Sequence, residues 1–325
     1  MMSRKISKKR KNKRLNCALK QAKTVAIGGH IRPDGDCFGS CMGLYQYVKN
    51  RYPDIAVDVY LEEVPECFYM FPVANEILHE VKPEVYDLFI SLDCASVDRL
   101  GFSQCLFENA KNTLCVDHHI SNQGFAKENY IVAEASSTSE LVYHLIDKDA
   151  ITTEIAECLY VGIVHDTGVF QYSSTSPETM EAAAQLMRKN IRASEIIDKT
   201  YYEKTYLQNL MLGKALQESV LFLDGKVIAS YITKETMEEH GIKPSDLEGI
   251  VSQLRVTQGV EVAIFMYALG QEEYKVSLRA SGSVDVSKVA QCFGGGGHKK
   301  AAGLTMEGTA KECMDKLMLQ IQTQL

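Results

Sequence analysis

Four short segments of this 325-residue chain hold side chains that coordinate divalent metals: His30-Ile-Arg-Pro-Asp34-Gly-Asp36, Asp93, Asp117-His118-His119 and Asp166. The first three each close an apolar run: Thr24-Val-Ala-Ile-Gly-Gly, Asp87-Leu-Phe-Ile-Ser-Leu-Asp93 and Thr113-Leu-Cys-Val-Asp117. Pro33 fixes a turn and Gly35 relaxes the backbone between two acids, so Asp34 and Asp36 can face one crevice. The plainer alternative is a pair of turn-capping aspartates beside a hydrogen-bonded histidine, and this motif alone does not separate the two. At Asp93 an uncompensated carboxylate ending a buried strand would be costly, which favours a cation. The competing role is an N-cap for the next segment. Adjacent histidines on an extended chain point to opposite sides, so one of His118 and His119 could bind metal while the other meets substrate or solvent. Asp166 ends a helical run, and its neighbour His165 reads as structural rather than as a ligand.

Together these segments offer two imidazoles and four carboxylates, a mixed set that suits Mn²⁺ better than a thiolate zinc site. Six ligands are many for one catalytic ion with open positions. A carboxylate bridging two ions about 3.5–4 Å apart accounts for them better. Two such ions activate a bridging hydroxide for in-line attack on phosphorus and neutralise the charge that develops there. The ten cysteines contain no C-x-x-C pair, which argues against a zinc ribbon or a disulfide scaffold and for reduced thiols.

A second constellation lies near the C-terminus, in Phe293-Gly-Gly-Gly-Gly297-His298-Lys299-Lys300. Consecutive glycines let backbone N–H groups approach an anion, and His298 and the lysines add donors. The bland alternative is a flexible loop. Upstream, Arg279 and Ser281 lie in Ser277-Leu-Arg-Ala-Ser281. Arg279 is a candidate phosphate clamp or an ordinary exposed strand arginine.

Positioning these groups requires a particular scaffold. From Lys23 to Gly168 strand-like and helix-like runs alternate: Val25–Ile27, Ile55–Leu61, Leu88–Leu92 and Thr113–Val116 as strands, Cys37–Lys49, Val97–Phe107, Ser139–Ile146 and Thr153–Val164 as helices. Such alternation predicts a mostly parallel sheet covered by helices, whose strand ends converge on one crevice. Residues 181–218 read as a helical linker. Beyond them Asp224-Gly225 sits between two β runs, a hairpin signal, and a second strand pair flanks Gly270. The expected class is α/β, with a basic, disordered tail over 1–18, a catalytic domain over 19–180, the linker, and a smaller α+β domain over 219–325.

Composition narrows the class further. Residues 1–14 hold eight Lys or Arg and no acid, leaving −15 on the rest once they are set against the net −7. An acidic body argues against tight wrapping of duplex DNA, though not against a small phosphorylated substrate held by metals. No apolar run approaches the ~20 residues needed to span a bilayer. The basic start is followed by no apolar segment, so it does not read as a signal peptide. A cytoplasmic protein with no membrane partner is expected.

At this point the chain resembles the DHH phosphoesterases. The resemblance rests on GGHIRPDGDCFGS (28–40), SLDCAS (91–96), VDHHISN (116–122) and GIVHDTGVFQYSST (162–175), with GGGGHKKAAG (294–303) similar to the glycine-rich signature of the family's associated C-terminal domain. It covers about Lys23 to the C-terminus. It implies two manganese ions, with Mg²⁺ or Co²⁺ as substitutes. One would be held by His30, Asp34 and Asp93, the other by Asp36, Asp93, His118 and Asp166. Asp117 and His119 would act beside His118 as catalytic or substrate-side groups. Arg279, Ser281, Gly295, Gly296, Gly297 and His298 would bind substrate. Length and domain order are most similar to the small members that degrade very short RNAs and remove the 3′-phosphate of adenosine 3′,5′-bisphosphate.

The expected function is therefore a Mn-dependent phosphohydrolase acting on short single-stranded RNA or DNA oligonucleotides and small phosphorylated nucleotides, including 3′-phosphoadenosine 5′-phosphate. Hydrolysis of cyclic di-AMP, cyclic di-GMP or their linear dinucleotides is the competing enzyme reading. A nucleotide-binding protein with little turnover is the competing non-enzyme reading. A homodimer is compatible with each.

Overall fold

The computed structural model describes residues 8–325, with side chains described from Leu15 onward. The chain forms two compact units that meet in sequence at Glu203 and Lys204.

The first unit runs α1 (Lys8–Gln21), β1 (Thr24–Gly28), α2 (Gly35–Arg51), β2 (Ala56–Tyr60), β3 (Ile77–Leu78), β4 (Leu88–Leu92), α3 (Gln104–Asn109), β5 (Asn112–Asp117), β6 (Glu128–Ile131), α4 (Thr138–Leu145), α5 (Thr153–Asp166), α6 (Pro177–Met187) and α7 (Ala193–Ile197). Its six strands are all parallel, in the order β3-β2-β1-β4-β5-β6. All five residues of β4 are buried, as expected of a strand covered on both faces. Val25, Ile27, Ile90 and Leu92 face a core shared with α2, α4 and α5. Ala26 and Phe89 face the opposite core, with Leu106 and Phe107 of α3. The strand order reverses direction between β1 and β4, so the crevice beyond their carboxyl ends is where such a sheet receives a ligand.

Helices α2 and α5 touch almost backbone to backbone. Gly35, Gly39 and Gly43 recur every fourth residue along α2 and so lie on one face. A methyl on Gly39 would stand 2.4 Å from the Cys158 carbonyl oxygen and 2.8 Å from the Gly162 nitrogen. No side chain fits there, and the two helices approach because none is present.

Three boundaries differ from expectation. The disordered tail expected over 1–18 is helix α1 from Lys8 onward. Leu15 and Leu19, four residues apart, share one face of the helix and are buried in the core with Ala22 just beyond its end, which supplies the reason for order. Residues 1–7 of that tail lie outside the described residues. The helix expected over 97–107 is a 3₁₀ turn, Val97–Ser103, followed by α3, with Gly101 at φ 56° marking the kink. The linker expected over 181–218 is divided between the units. Leu186 and Ile196 pack in the first core, whereas Met211 and Ala215 pack in the second.

The second unit runs α8 (Tyr206–Gln217), β7 (Val220–Phe222), β8 (Val227–Ile232), α9 (Lys234–His240), α10 (Ile250–Arg255), β9 (Val262–Ala268), β10 (Glu273–Ala280), α11 (Val286–Gln291), β11 (Gly296–His298), β12 (Ala301–Glu307) and α12 (Ala310–Gln322). Its sheet has the order β11-β12-β10-β9-β8-β7, antiparallel except between β8 and β9. Helices α8 and α10 cover one face over Ala263 and Phe265. Helices α11 and α12 cover the other over Val262, Ile264 and Met266. Among the described residues no helix is long and apolar enough to cross a membrane.

Candidate metal centre

The crevice beyond β1, β4 and β5 gathers His30, Asp34, Asp36, Asp93, His118 and Asp166. His30 follows β1 and is buried. Asp34 is the N-cap of α2, its Oδ1 accepting the backbone N–H groups of Asp36 (3.1 Å) and Cys37 (3.0 Å). The capping role set against metal binding at Asp34 is thus real, and it leaves the second oxygen uncommitted by the cap. Asp93 directly follows β4 with φ 54°, a left-handed conformation uncommon outside glycine. It caps nothing, since the next 3₁₀ turn has Ser96 at its N-cap. Asp166 is the last residue of α5.

The distances divide these groups into two sets that share Asp93. His30 Nε2 stands 3.6 Å from Asp34 Oδ1 and 3.5 Å from Asp93 Oδ2. His118 Nε2 stands 3.5 Å from Asp93 Oδ1, 3.0 Å from Asp166 Oδ2 and 3.9 Å from Asp36 Oδ2. Each oxygen of Asp93 therefore faces a different histidine. Two clusters in this crevice have ligand atoms close enough together to hold an ion: His30-Asp34-Asp93 and Asp36-His118-Asp166. Asp93, His118 and His119 form a third such cluster.

Surrounding hydrogen bonds aim these ligands. The Nδ1 of His30 lies 2.8 Å from the carbonyl of Ile31 and that of His118 lies 3.4 Å from the carbonyl of Ala135. A carbonyl accepts only, so Nδ1 carries a proton and Nε2 is the nitrogen aimed at the carboxylates, the orientation metal-binding histidines adopt. Asp36 is fully buried, and both its oxygens are held by the first N–H groups of α4, Thr138 (2.6 Å) and Ser139 (2.8 Å). The Thr138 hydroxyl donates to Asp93 Oδ1 at 3.1 Å. Apolar spacing places the start of this helix at Ser139, so the role of Ser137 and Thr138 escapes it. Their signal was present, as Ser137 three residues before Glu140 is a helix-start pattern, and Ser137 is the N-cap.

His119 behaves differently from expectation. Strand β5 ends at Asp117, so the alternation of side chains along a strand no longer governs the pair. The His118 and His119 rings sit 5.0 Å apart, edge to face, on the same side. His119 Nδ1 is 2.7 Å from Asp117 Oδ1 and 3.7 Å from Asp93 Oδ1. Its short bond to Asp117 commits that nitrogen as a donor, so Nδ1 does not serve a cation in this arrangement. The Nε2 of His165 is 3.0 Å from the Thr200 hydroxyl, and its ring occupies the space where a Gly35 side chain would be.

The four inner carboxylates create a strong demand for positive charge. Burial alone would lower the His30 pKa, but the carboxylates of Asp34 and Asp93 push it up to about 12. Burial is likewise outweighed at His118 by Asp166 and Asp93, again up to about 12. Burial, with repulsion from Asp93 and Asp166, raises Asp36 well above the usual carboxylate range. Without metal the imidazoles thus serve as the counter-cations. A metal needs their lone pairs, so binding must displace protons. The apparent affinity for Mn²⁺ should fall as pH falls, about tenfold per pH unit for each proton displaced, and protons should leave from His30 and His118 at least. Titration calorimetry in buffers of different ionisation enthalpy counts them. A release of none would refute this electrostatic account.

The remaining sequence candidates lie in the second unit. Arg279, on β10, donates from Nη1 to the Leu278 carbonyl at 3.0 Å. The Ser281 hydroxyl donates to the Val260 carbonyl at 2.7 Å. Part of the glycine run is regular strand rather than loop. Gly296, Gly297 and His298 form β11, an exposed edge strand paired to β12. Methyls on Gly295 and Gly297 would each stand 2.5 Å from a backbone carbonyl of β12. These glycines therefore permit the edge strand, which presents a row of unpaired backbone groups outward.

Comparison with known proteins matches two domain families. Residues 24–163 match the DHH family, N-terminal domain, and residues 224–324 match the DHHA1 domain. The chain is 25% identical over 305 residues to the bifunctional oligoribonuclease and PAP phosphatase NrnA of Bacillus subtilis, covering 92% of this chain and 94% of that one. It is 29% identical over 294 residues to the NrnA of Thermus thermophilus, covering 87% and 84%. An exopolyphosphatase-related protein from Bacteroides fragilis superposes with a TM-score of 0.89 at 25% identity, over 99% of this chain and 98% of that one. An exonuclease RecJ solved with manganese shares the fold at a TM-score of 0.52 and 14% identity, over 97% and 93%.

Proposed function

The chain belongs to the DHH family of phosphoesterases and is a phosphoester hydrolase, and from that premise we propose that it is a two-manganese enzyme that shortens oligonucleotides of a few residues to mononucleotides and removes the 3′-phosphate of 3′-phosphoadenosine 5′-phosphate. The observation that carries this reading is the shared carboxylate, since Asp93 turns one oxygen toward His30 and the other toward His118. His30, Asp34 and Asp93 would hold one ion. Asp36, Asp93, His118 and Asp166 would hold the other. Two divalent ions supply Lewis acidity at the phosphoryl oxygens and a nucleophile generated from water near neutral pH. The oxygen-rich donor set with two imidazoles supports Mn²⁺ over a thiolate metal, and the solved RecJ relative was bound to manganese.

The protein's own groups do the remaining work. The N-terminus of α4 keeps Asp36 aimed and its charge compensated. His119, its Nδ1 held by Asp117 and its side chain partly exposed, would offer Nε2 to a phosphoryl or leaving-group oxygen. The outward edge of β11, with His298 and Arg279, would bind the phosphates or ends of the substrate. Oligonucleotides and 3′-phosphoadenosine 5′-phosphate are proposed because the B. subtilis and T. thermophilus relatives are described as acting on such substrates.

A substrate panel tests this. Purified chain with Mn²⁺ is given labelled RNAs of two to five residues, 3′-phosphoadenosine 5′-phosphate, linear di-GMP and di-AMP, and their cyclic forms. Short RNA should yield mononucleotides, and the bisphosphate should yield AMP. Turnover confined to cyclic dinucleotides would replace this reading, and RNA left intact with metal bound would defeat it.

A further inference from the structure

Asp117 is fully buried, and the hydrogen bonds around it point past the metal ligands to Asn122. The Asn122 side chain is buried too. Its Nδ2 donates to Asp117 Oδ2 at 2.7 Å and to the Cys94 carbonyl at 3.0 Å, and lies 3.5 Å from Cys115 Sγ. Its Oδ1 accepts the Gly124 N–H at 2.8 Å, and its own backbone N–H donates to the His119 carbonyl at 3.2 Å. One amide therefore ties the end of β4, the end of β5 and the turn that follows the histidine pair.

An amide nitrogen carries two hydrogens, and both are used here, on Cys94 and on Asp117. With Oδ2 of Asp117 taken by Asn122, only Oδ1 faces His119, at 2.7 Å. Asp117 can only accept, so His119 Nδ1 must donate, and Nε2 is the ring nitrogen left for chemistry. The His119 side chain keeps 30% exposure, enough to meet a bound substrate. The side-chain hydrogen bonds of Asn122 go to Cys94, Cys115, Asp117 and Gly124, not to the side chains that surround the metal positions. Its leverage runs through Asp117 to His119.

We propose that Asn122 is a positioning residue for phosphoester hydrolysis, locking the Asp117 carboxylate so that His119 presents Nε2 to the reacting phosphoester. The inference rests on the catalytic reading of this crevice but not on which phosphoester is cut. Without the amide, Oδ2 of Asp117 is a buried acceptor with no donor. The carboxylate can then rotate, and His119 loses its fixed tautomer and angle. Groups that orient a catalytic histidine in this way typically govern activity by 10- to 100-fold.

The test is a double-mutant cycle of Asn122→Ala and His119→Ala, read on linear di-AMP and on bis(p-nitrophenyl) phosphate with saturating Mn²⁺. Asn122→Ala alone should lower kcat by about 10- to 100-fold with KM changed by less than about threefold and metal content unaltered. In the His119→Ala background the same change should cost little more, because its effect runs through His119. Losses that multiply across the two sites, or metal lost from Asn122→Ala, would overturn the proposal. Should Asn122→Ala fail to fold, Asn122→Ser enters the cycle under the same criteria. If di-AMP is inert but the aryl diester is cleaved, the oligonucleotide reading fails while the cycle still decides the role of Asn122.

Discussion

Asp93→Asn is expected to lower turnover by about 10²–10⁴-fold, the loss of about 3–5 kcal/mol that follows removal of one charge from a buried, paired cluster. The replacement keeps shape and volume, so packing is not the cause. A carboxylate offers two accepting oxygens, and Asp93 spends one on each side, at 3.5 Å from His118 and 3.5 Å from His30. Asparagine keeps one oxygen and replaces the other with a donor, which can neither bind a cation nor oppose a histidine N–H. Burial would normally raise this carboxyl's pKa, but His118 and His30 hold it far below the usual range. The charge is therefore essential to the cluster. Steady-state hydrolysis with saturating Mn²⁺, metal per chain by mass spectrometry and circular dichroism check the outcome together. A folded variant within tenfold of wild type, with its metal complement intact, would mean that Asp93 bridges nothing.

Gly39→Ala should be the most damaging single methyl in the first unit. Its Cβ would meet backbone atoms at 2.4 Å and 2.8 Å, and backbone does not swing aside as a side-chain tip does. The helices must part instead, costing about 3 kcal/mol. For a unit of this size that lowers Tm by roughly 6–12 °C. Activity should fall as well, because α2 carries Asp36 and α5 carries Asp166, and parting them opens the set around His118. Gly213→Ala is the matched control. It lies within α8 with nothing within 4 Å of the added methyl, so it should stabilise by about 0.5–1 kcal/mol. Thermal unfolding of the two variants beside wild type decides the matter. Equal small shifts would show that α2 and α5 have slack between them.

Much of this architecture was legible in the chain, and the reasons are local. Leu88–Leu92 and Thr113–Val116 are continuous apolar runs that end in acids, so strands buried on both faces and chemistry at their ends could be read together. Six inner groups were legible because metal-binding side chains are few in kind. What escaped was contact between distant segments. That Asp36 rests on the N-terminus of α4 joins residues 102 apart, and no periodicity in either segment announces it. The orientation of His119 failed for a related reason, since alternation holds only while the chain stays extended, and β5 ends at Asp117. The tail was misjudged because eight cationic side chains obscured the spacing of Leu15 and Leu19 that seats α1.

Donor types and strand-end positions are properties of short segments, so the class of chemistry and the family could be read from the chain alone. How the donors divide into two sets around Asp93, why α2 and α5 can bring Asp36 and Asp166 to the same histidine, and what aims Asp117 emerged only in the folded molecule. Those outcomes depend on distances of a few ångströms between elements whose approach is set by packing, where a single absent methyl at Gly39 or one buried amide at Asn122 decides the geometry.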